Sequence, residues 1–510
     1  MTALVALLTL STMPSPATIK AREQDWRIGP VVYQVFLDRF APPKSLEAKR
    51  KFINPPRTLM KWTDLPKPGH LLKNYGLWSH ELEFWGGDFA SLNTRLSYIR
   101  DLGADVLYLL PVNKAFTNHK YDAQDYLQVD PEYGTDQDLA SLADTLHKSN
   151  MRLMLDGVFN HVGKTSAFFE SAQKEDGSKY RNWFEFGSQY PAGYRSYAGV
   201  ANMPALKLEN PSVRDYLWNG HDSVVRKYLR EGADGWRLDV AFEIGPEFLS
   251  ELTHAAHMEK PGSAVVGEIS GYPSDWFPAV DGVFDFSQIA VMYQMLHGDI
   301  SGGRAGTIIQ HMADDAGIEN LLRSWLLTDN HDTPRFASAV PDSAKRSFLH
   351  TMQFTLPGAP VIYYGSELGM TGAGDPANRA PMRWDLATDK NQELSLVKRL
   401  IRIRKAHPAL RLGDFHALDT DRLFAFVRTT DKVMDSVLVV ANPTAAPVTE
   451  TMAVRVGKIQ SWGEMEDLVT GSKIHVINGL TTIIVPPRSV ALYAPAKQIH
   501  GGYSPYHRIN

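Results

Sequence analysis

Short, mainly apolar runs alternate with amphipathic stretches along most of the chain, up to about residue 411. The apolar runs lie at residues 31–40, 104–112, 152–163, 263–270 and 359–370. Runs of this kind are typical of parallel strands that are buried on both faces. Between them, residues 136–150 and 391–407 have the character of helices, and the second stretch ends before Pro408. Strands that alternate with helices predict a parallel sheet.

The pattern changes beyond about residue 412. Segments such as RLFAFVRTT, SVLVVANP and TTIIVPP alternate with turn residues, and no helical stretch separates them. This pattern predicts a separate antiparallel β-domain. Residues 164–218 differ again, because they are rich in loops and aromatic side chains. We expect most of these rings to form the small core of an inserted subdomain.

Charged side chains stand at the ends of three apolar runs. In GWRLD, Arg237 and Asp239 flank Leu238 and therefore share one face of a strand. Burying two charges is costly unless they pair or take part in chemistry, so a structural ion pair and a reactive pair are both open. Glu268 ends the run SAVVGEIS, and Asp332 ends SWLLTDNHDTPR. Three carboxylates at the carboxyl ends of separate strands are expected at the active face of a parallel barrel.

The predicted fold class is α/β. It is a (β/α)8 TIM barrel with an inserted loop-rich subdomain after the third strand and a C-terminal antiparallel β-domain. The expected segments, in chain order, are a possible signal or N-terminal segment at 1–25, the barrel at 26–161 and 219–411, the inserted subdomain at 162–218, a C-terminal β-sandwich at 412–497 and a tail at 498–510.

Composition narrows the classes of function. The net charge of −4 comes from interspersed acidic and basic residues, which argues against nucleic-acid binding. There are no cysteines, so disulfides and thiolate metal sites are excluded. The apolar start followed by small residues resembles a secretory signal, although no basic segment precedes it. We expect a periplasmic or extracellular protein, with a cytoplasmic one as the alternative, and no membrane-spanning segment.

Four sequence blocks carry a resemblance to a known family. LDGVFNH, GWRLD, VVGEI and TDNHDTP occur in this order from residue 155 onward and resemble blocks of the α-amylase superfamily, glycoside hydrolase family 13. The resemblance covers roughly residues 28–497. MPALK at 203–207 resembles the MPKLN block of the neopullulanase and cyclomaltodextrinase branch, from which Ala205 and Lys207 depart. Other positions resemble the oligo-1,6-glucosidase and α-glucosidase branch.

The resemblance implies a reaction and roles for the three carboxylates. Asp239 would be the nucleophile, Glu268 the acid/base and Asp332 a third carboxylate that binds sugar hydroxyls. Retention needs two carboxyls about 5–5.5 Å apart, and neighbouring strands lie roughly 4.8 Å apart, so consecutive strands favour retention. Arg237 should lower the pKa of Asp239, whereas the apolar run VVGEI should give Glu268 a less polar environment. Asp156 is expected to be structural and to pair with Arg237 or a backbone amide.

Further residues, Arg237 among them, are implied to bind the substrate. His161 and His331 resemble the two family histidines at the cleaved sugar, and Tyr121 the aromatic residue that stacks on it. His119 matches as well, either at the sugar or as a support for its loop. Asp122 and Arg379 resemble a carboxylate–arginine pair that closes the cleft of exo-acting relatives, with a structural salt bridge between two loops as the alternative.

We expect an enzyme that hydrolyses α-glucosidic, mainly α-1,4, bonds in maltooligosaccharides or related α-glucans. Transglycosylation or isomerisation on the same scaffold is the alternative, and a catalytically inactive binding relative is a third. No cofactor requirement is expected. Many relatives hold calcium with an Asn and a His. Asn160 is present here, but Glu243 stands at the position of the His. Too few residues precede the first strand for the N-terminal β-domain through which some relatives dimerise, and the oligomeric state stays open.

Overall fold

A barrel of eight parallel strands forms the centre of the structure, a computed structural model that describes residues 13–461, 463–497 and 502–509. The strands, β1 to β8 in chain order, are Val32–Val35, Val106–Leu109, Arg152–Gly157, Gly235–Leu238, Ala264–Gly267, Gly282–Val283, Trp325–Leu327 and Ala359–Tyr363. Hydrogen bonds join them in the order β6-β5-β4-β3-β2-β1-β8-β7. The predicted fold class is therefore confirmed.

The barrel closes between β6 and β7. Phe284, just beyond β6, forms a parallel bridge with Trp325 of β7, and the Asp285 N–H donates to the Trp325 carbonyl at 2.9 Å. The two rings also stack, with centroids 5.7 Å apart. Closure brings the carboxyl ends of all eight strands to one face, where barrel enzymes carry their active sites.

Amphipathic helices cover the barrel. The helix Asp136–Lys148 buries Leu139, Leu142 and Leu146 at helical spacing, and Thr135 caps its N-terminus. Two short helices precede Gly103, and a turn at Thr94 and Arg95 separates them. The helices that surround the barrel are Phe89–Asn93, Leu96–Leu102, Asp136–Lys148, Val224–Arg230, Pro246–Glu259, Phe286–His297, Gly302–Ala316, Ile318–Arg323, Ser343–Thr355 and Gln392–Ala406.

The start of the described chain packs onto the folded domains. The predicted N-terminal segment ran to residue 25, and residues 1–12 of it lie outside the described part. Pro16–Gln24 form a helix. Its Arg22 is buried and forms ion pairs with Glu319 at 2.6 Å and Asp414 at 2.8 Å. These contacts make residues 16–24 part of the folded structure.

Two further units flank the barrel. In the insertion, Phe169 is fully buried and packs edge-on against Phe184 and Tyr194, as expected for a small aromatic core. The C-terminal domain pairs a six-stranded sheet with a two-stranded one. Its strands are Asp414–Ala417, Phe424–Thr429, Val437–Asn442, Val448–Ala453, Gly463–Asp467, Lys473–Val476, Leu480–Val485 and Ser489–Pro495. Among the described residues, no helix has both the length and the apolar character needed to cross a bilayer.

Candidate active site

Asp239 and Glu268 stand side by side at the ends of β4 and β5. These strands are parallel neighbours, with Leu238 opposite Gly267. Asp239 and Glu268 are the next residue on each strand, so the register that pairs the strands also pairs the two carboxylates. The Glu268 N–H donates to the Leu238 carbonyl at 3.0 Å, which continues the ladder by one step. The two carboxylates therefore end consecutive parallel strands, as expected.

A single guanidinium joins the carboxylates below the site. Arg237 is fully buried, and its Nη1 donates to Asp239 at 3.1 Å and to both oxygens of Asp156 at 2.8 and 2.9 Å. Its Nη2 lies 2.7 Å from Glu268 Oε2, an ion pair that is not aligned as a hydrogen bond. The prediction of a less polar environment for Glu268 is therefore wrong, because this carboxylate contacts the Arg237 cation. Arg237 thus forms a structural ion pair with Asp156 and also contacts the two paired carboxylates, Asp239 and Glu268.

The pKa of Asp239 is shifted in the opposite direction to the one expected. Burial raises it well above the usual value, Arg237 lowers it, and the neighbouring carboxylates of Glu268, Asp156 and Asp332 raise it further. Arg237 by itself would lower this pKa, as the sequence predicts. One cation shared among several carboxylates does not offset the loss of water around a buried acid.

The residue after Asp239 adopts a strained backbone conformation. Val240 has φ 40° and ψ 46°, a left-handed conformation that a β-branched residue rarely adopts. In this conformation its N–H donates to Glu268 Oε2 at 3.0 Å. Strain of this kind is found where a site requires a particular geometry, and here it orients the second carboxylate beside the first.

Asp332 reaches the site from a loop and not from a strand end. β7 ends at Leu327, so the prediction that Asp332 ends a strand is wrong. The side chain of Asn330 accepts from the N–H groups of Asp332 and Thr333 at 2.9 and 3.0 Å, which turns the chain. Asp332 then pairs with Arg379 at 3.1 Å.

Two buried histidines border the site in their neutral form. Burial lowers the pKa of His161 to about 3, and neither ring nitrogen has a partner in the described residues. Burial also lowers the pKa of His331 well below its usual value. Its ring stacks on Tyr121, with centroids 5.1 Å apart and planes 2° from parallel. Neutral rings can each donate and accept one hydrogen bond, which suits hydroxyl groups.

The predicted pair of Asp122 and Arg379 does not form. Asp122 is fully buried and accepts from the Thr117 N–H and hydroxyl and from Asn202 Nδ2 at 3.1 Å. Arg379 instead pairs with Asp332 and, at 3.6 Å, with Asp375. Asp122 already has three neutral donors from its own loop and from the insertion, so it holds two loops together. The prediction of a bridge to Arg379 is wrong.

Asp156 has the structural contacts expected of it. Besides Arg237, it accepts hydrogen bonds from the Tyr108 hydroxyl at 2.6 Å and the Tyr121 hydroxyl at 2.8 Å. Its pairing with Arg237 is thus confirmed. Through Tyr121 it also fixes a ring that faces the site.

A cavity of about 300 Å³ brings the candidate residues together. It is lined by the three carboxylates, by His119, Tyr121, His161, His331 and Arg379, and by side chains that were not singled out: Glu81, Met203, Val240, Phe242, Ser270, Phe286 and Asp375. Tyr197, from the aromatic insertion, also lines it and stacks on His161, with centroids 5.0 Å apart. Arg237 and Asp122, which were both expected to bind the substrate, lie outside the lining. A larger cavity of about 970 Å³ borders the C-terminal domain and shares no lining residue with this one.

The position of Asn160 and Glu243 does not fit a calcium site. Asn160 Nδ2 donates to Glu243 Oε2 at 2.8 Å, so the amide turns its nitrogen toward the carboxylate. Calcium takes six to eight oxygen ligands, and the described residues contain no cluster of three or more His, Asp or Glu able to hold a metal ion.

A barrel with a bridged carboxylate pair and a third carboxylate at its carboxyl face defines the site of a glycoside hydrolase. Residues 34–271 and 283–413 match the family described as Alpha amylase, catalytic domain. The chain therefore belongs to the α-amylase family.

The chain is also similar to two characterised proteins and to one solved structure. The chain is 32% identical over 481 residues to neopullulanase 2 of Thermoactinomyces vulgaris, covering 91% of this chain and 77% of that protein. It is 32% identical over 442 residues to a cyclomaltodextrinase of Bacillus sp, with 82% and 73% covered. The ligand-free cyclic α-maltosyl-(1→6)-maltose hydrolase of Arthrobacter globiformis superposes with a TM-score of 0.77 at 26% identity, covering 92% of this chain and all of that one.

Proposed function

We propose that the protein is a retaining glycoside hydrolase that cleaves α-glucosidic, mainly α-1,4, bonds in maltooligosaccharides or related α-glucans. The observation that carries the proposal is the adjacent pair of Asp239 and Glu268, bridged by Arg237 and open to a cavity. The names of the relatives, neopullulanase and cyclomaltodextrinase, support an α-glucan substrate.

In the first step, the Asp239 carboxylate attacks the anomeric carbon while Glu268 donates a proton to the glycosidic oxygen. The bond between the anomeric carbon and the glycosidic oxygen breaks, and the leaving sugar departs with the proton on that oxygen. Asp239 is then joined to the glucosyl unit, and Glu268 carries the negative charge. In the second step, Glu268 takes a proton from water, whose oxygen attacks the same carbon and frees Asp239. Two inversions restore the starting configuration.

The other lining groups hold the sugar. Asp332 and Arg379 present an anion and a cation to neighbouring hydroxyls, whereas neutral His161 and His331 can each donate one hydrogen bond. Positive charge that develops on the ring is stabilised by the carboxylates beneath it. Arg237 stays below the site and keeps Asp239 and Glu268 in place without touching the substrate.

The test is incubation of the pure protein with maltotriose. We expect glucose and maltose, and NMR of the first product should show the α-anomer. A β-anomer would contradict retention, and no release from maltotriose, maltohexaose or cyclomaltodextrins would contradict hydrolysis. Products longer than the substrate would instead indicate transfer of the glucosyl unit to a second sugar.

A further inference from the structure

The segment Ser79–Leu82 and its neighbours supply a wall of the cavity that no catalytic sequence block accounts for. It belongs to the long excursion between β1 and the first barrel helix, and it places Glu81 in the lining. Glu81 Oε2 accepts from the Trp78 N–H at 2.5 Å, and its Oε1 lies 3.4 Å from His119 Nε2. His119 Nδ1 already accepts from the Tyr121 N–H, so the Nε2 proton faces Glu81. The carboxylate is held in one position.

Backbone contacts make this wall rigid. Asn118 Nδ2 donates to the carbonyls of His80 and Glu83, both at 2.9 Å, and the Asn118 N–H donates to the Glu81 carbonyl at 2.8 Å. On its other side, the Ser79 N–H donates to the His70 carbonyl at 2.9 Å, which extends the small hairpin of Leu71–Leu72 and Leu77–Trp78. The segment is thus fixed to the loop that follows β2.

A chain of ion pairs links the wall to the reacting group. Asp332 pairs with Arg379 at 3.1 Å, Arg379 with Asp375 at 3.6 Å, and Asp375 with His80 at 3.6 Å. Burial raises the pKa of Asp375, but His80 and Arg379 outweigh it and lower the value to about 2. Burial likewise raises the pKa of Glu81, and His119 and the Trp78 N–H lower it overall. Both carboxylates face the cavity as anions.

The wall and the acid/base belong to different ends of the cavity. Glu268 donates its proton to the leaving group, so the groups around it, Val240, Phe242 and Ser270, line the leaving-group end. Neither Glu81 nor Asp375 forms a hydrogen bond or ion pair with Glu268 or Val240. Asp375 pairs with Arg379, which in turn pairs with Asp332. Glu81 contacts His119, whose ring packs beside Tyr121. They therefore face the sugar that becomes attached to Asp239.

We propose that Glu81, with Asp375, forms an anionic end wall that recognises the free hydroxyls of a non-reducing terminal glucose and excludes a chain that continues beyond it. This proposal rests on the proposed hydrolase and specifies its substrate as the end of a glucan chain. A terminal sugar offers hydroxyl donors to two fixed acceptors. An internal sugar carries the next residue where a hydroxyl would be, so it both loses a donor and meets the segment held by Asn118.

The experiment compares two heptasaccharides that differ only at the non-reducing end. One is maltoheptaose carrying a nitrophenyl group at its reducing end. The other is the same compound with an ethylidene group across O-4 and O-6 of the terminal glucose. A hydrogen bond to a charged group contributes roughly 1.5–3 kcal/mol, or at least about ten-fold. We expect the wild type to cleave the free compound at least about ten-fold faster, and this ratio to fall toward one in Glu81→Ala and Glu81→Gln.

Glu83→Gln is the matched control, because Glu83 is a half-buried carboxylate of the same segment that does not line the cavity. It should keep the wild-type ratio. Equal cleavage of both compounds by the wild type would contradict the proposed end wall. An unchanged ratio of the two cleavage rates in both folded Glu81 variants would contradict it as well.

Calorimetric binding of the same compounds to Asp239→Asn separates the wall from the reaction. If the free compound binds more tightly but the wild type hydrolyses neither compound, the end wall is supported and the proposed hydrolytic function is contradicted. If the wild type hydrolyses both compounds at one rate, the hydrolytic function is supported and the end wall is contradicted.

Discussion

The Asp156 carboxylate accepts hydrogen bonds from three donor groups in the interior, and replacing Asp156 with alanine leaves all three without this acceptor. The hydroxyls of Tyr108 and Tyr121 and the Arg237 guanidinium all donate to this carboxylate. Tyr108 and Arg237 are fully buried, so water cannot replace the lost acceptor. We expect a loss of folding stability well before a loss of sugar binding, because Asp156 itself does not line the cavity.

The magnitude follows from the partners that remain. Breaking a buried pair costs about 3–5 kcal/mol when the other charge is left alone, and each orphaned hydroxyl adds about 1–3 kcal/mol. Arg237 keeps Asp239 and Glu268, so its own contribution is small. The two hydroxyls then dominate, and the free energy of unfolding should fall by about 2–6 kcal/mol. At roughly 2–4 °C per kcal/mol, the melting temperature should fall by about 10 °C.

Differential scanning calorimetry at a fixed scan rate measures this shift. Asp314→Ala is the control, because Asp314 is exposed and its carboxylate accepts a hydrogen bond from the Gln310 side chain at the surface; it should melt within about 1 °C of the wild type. Oligosaccharide affinity of Asp156→Ala, measured well below its melting temperature, should stay within a few-fold, since Tyr121 remains stacked on His331. A wild-type melting temperature together with abolished binding would refute the reasoning.

Other expectations concern the reacting group and calcium. Asp239→Asn should lower turnover by several orders of magnitude with the fold intact, and a mechanism-based glycosyl fluoride should label Asp239; a label on Glu268 would reverse the roles. Because burial raises the pKa of Asp239 and attack needs its ionised form, kcat/KM should fall as the pH drops through that raised value. Asp156→Asn removes a nearby negative charge and should move this acid limb to lower pH, and an unmoved limb would count against the coupling. Since Asn160 donates directly to Glu243, EDTA should change neither activity nor melting temperature much; a steep fall that calcium reverses would show that a metal is bound.

The sequence by itself determined where the paired carboxylates Asp239 and Glu268 lie. Strand β4 and the residue after it can be recognised locally, because Arg237 and Asp239 alternate with Leu238 in a short apolar run. Glu268 follows the next run in the same way. Parallel neighbours in register then bring the two residues together without further information. The pairing of Asp156 with Arg237 was predictable for the same reason, since β3 and β4 are adjacent and Arg237 lies opposite Asp156.

Only the tertiary structure decided which loop residues meet. Arg379 pairs with Asp332 and Asp375. Asp122, which was expected to be its partner, is held by Thr117 and Asn202 instead. Such choices depend on how loops from distant parts of the chain pack. No periodicity in one segment records them.

The electrostatics and the wall of the cavity were likewise beyond local pattern. The pKa of Asp239 reflects burial and four nearby charges together, so its direction could not be inferred from Arg237 alone. Glu81 lies in an excursion without hydrophobic periodicity, and it reaches the cavity because Asn118 binds the backbone on either side of it. A strand end can be located from a few consecutive residues, whereas a charge balance and a cavity wall exist only once separate segments have packed together.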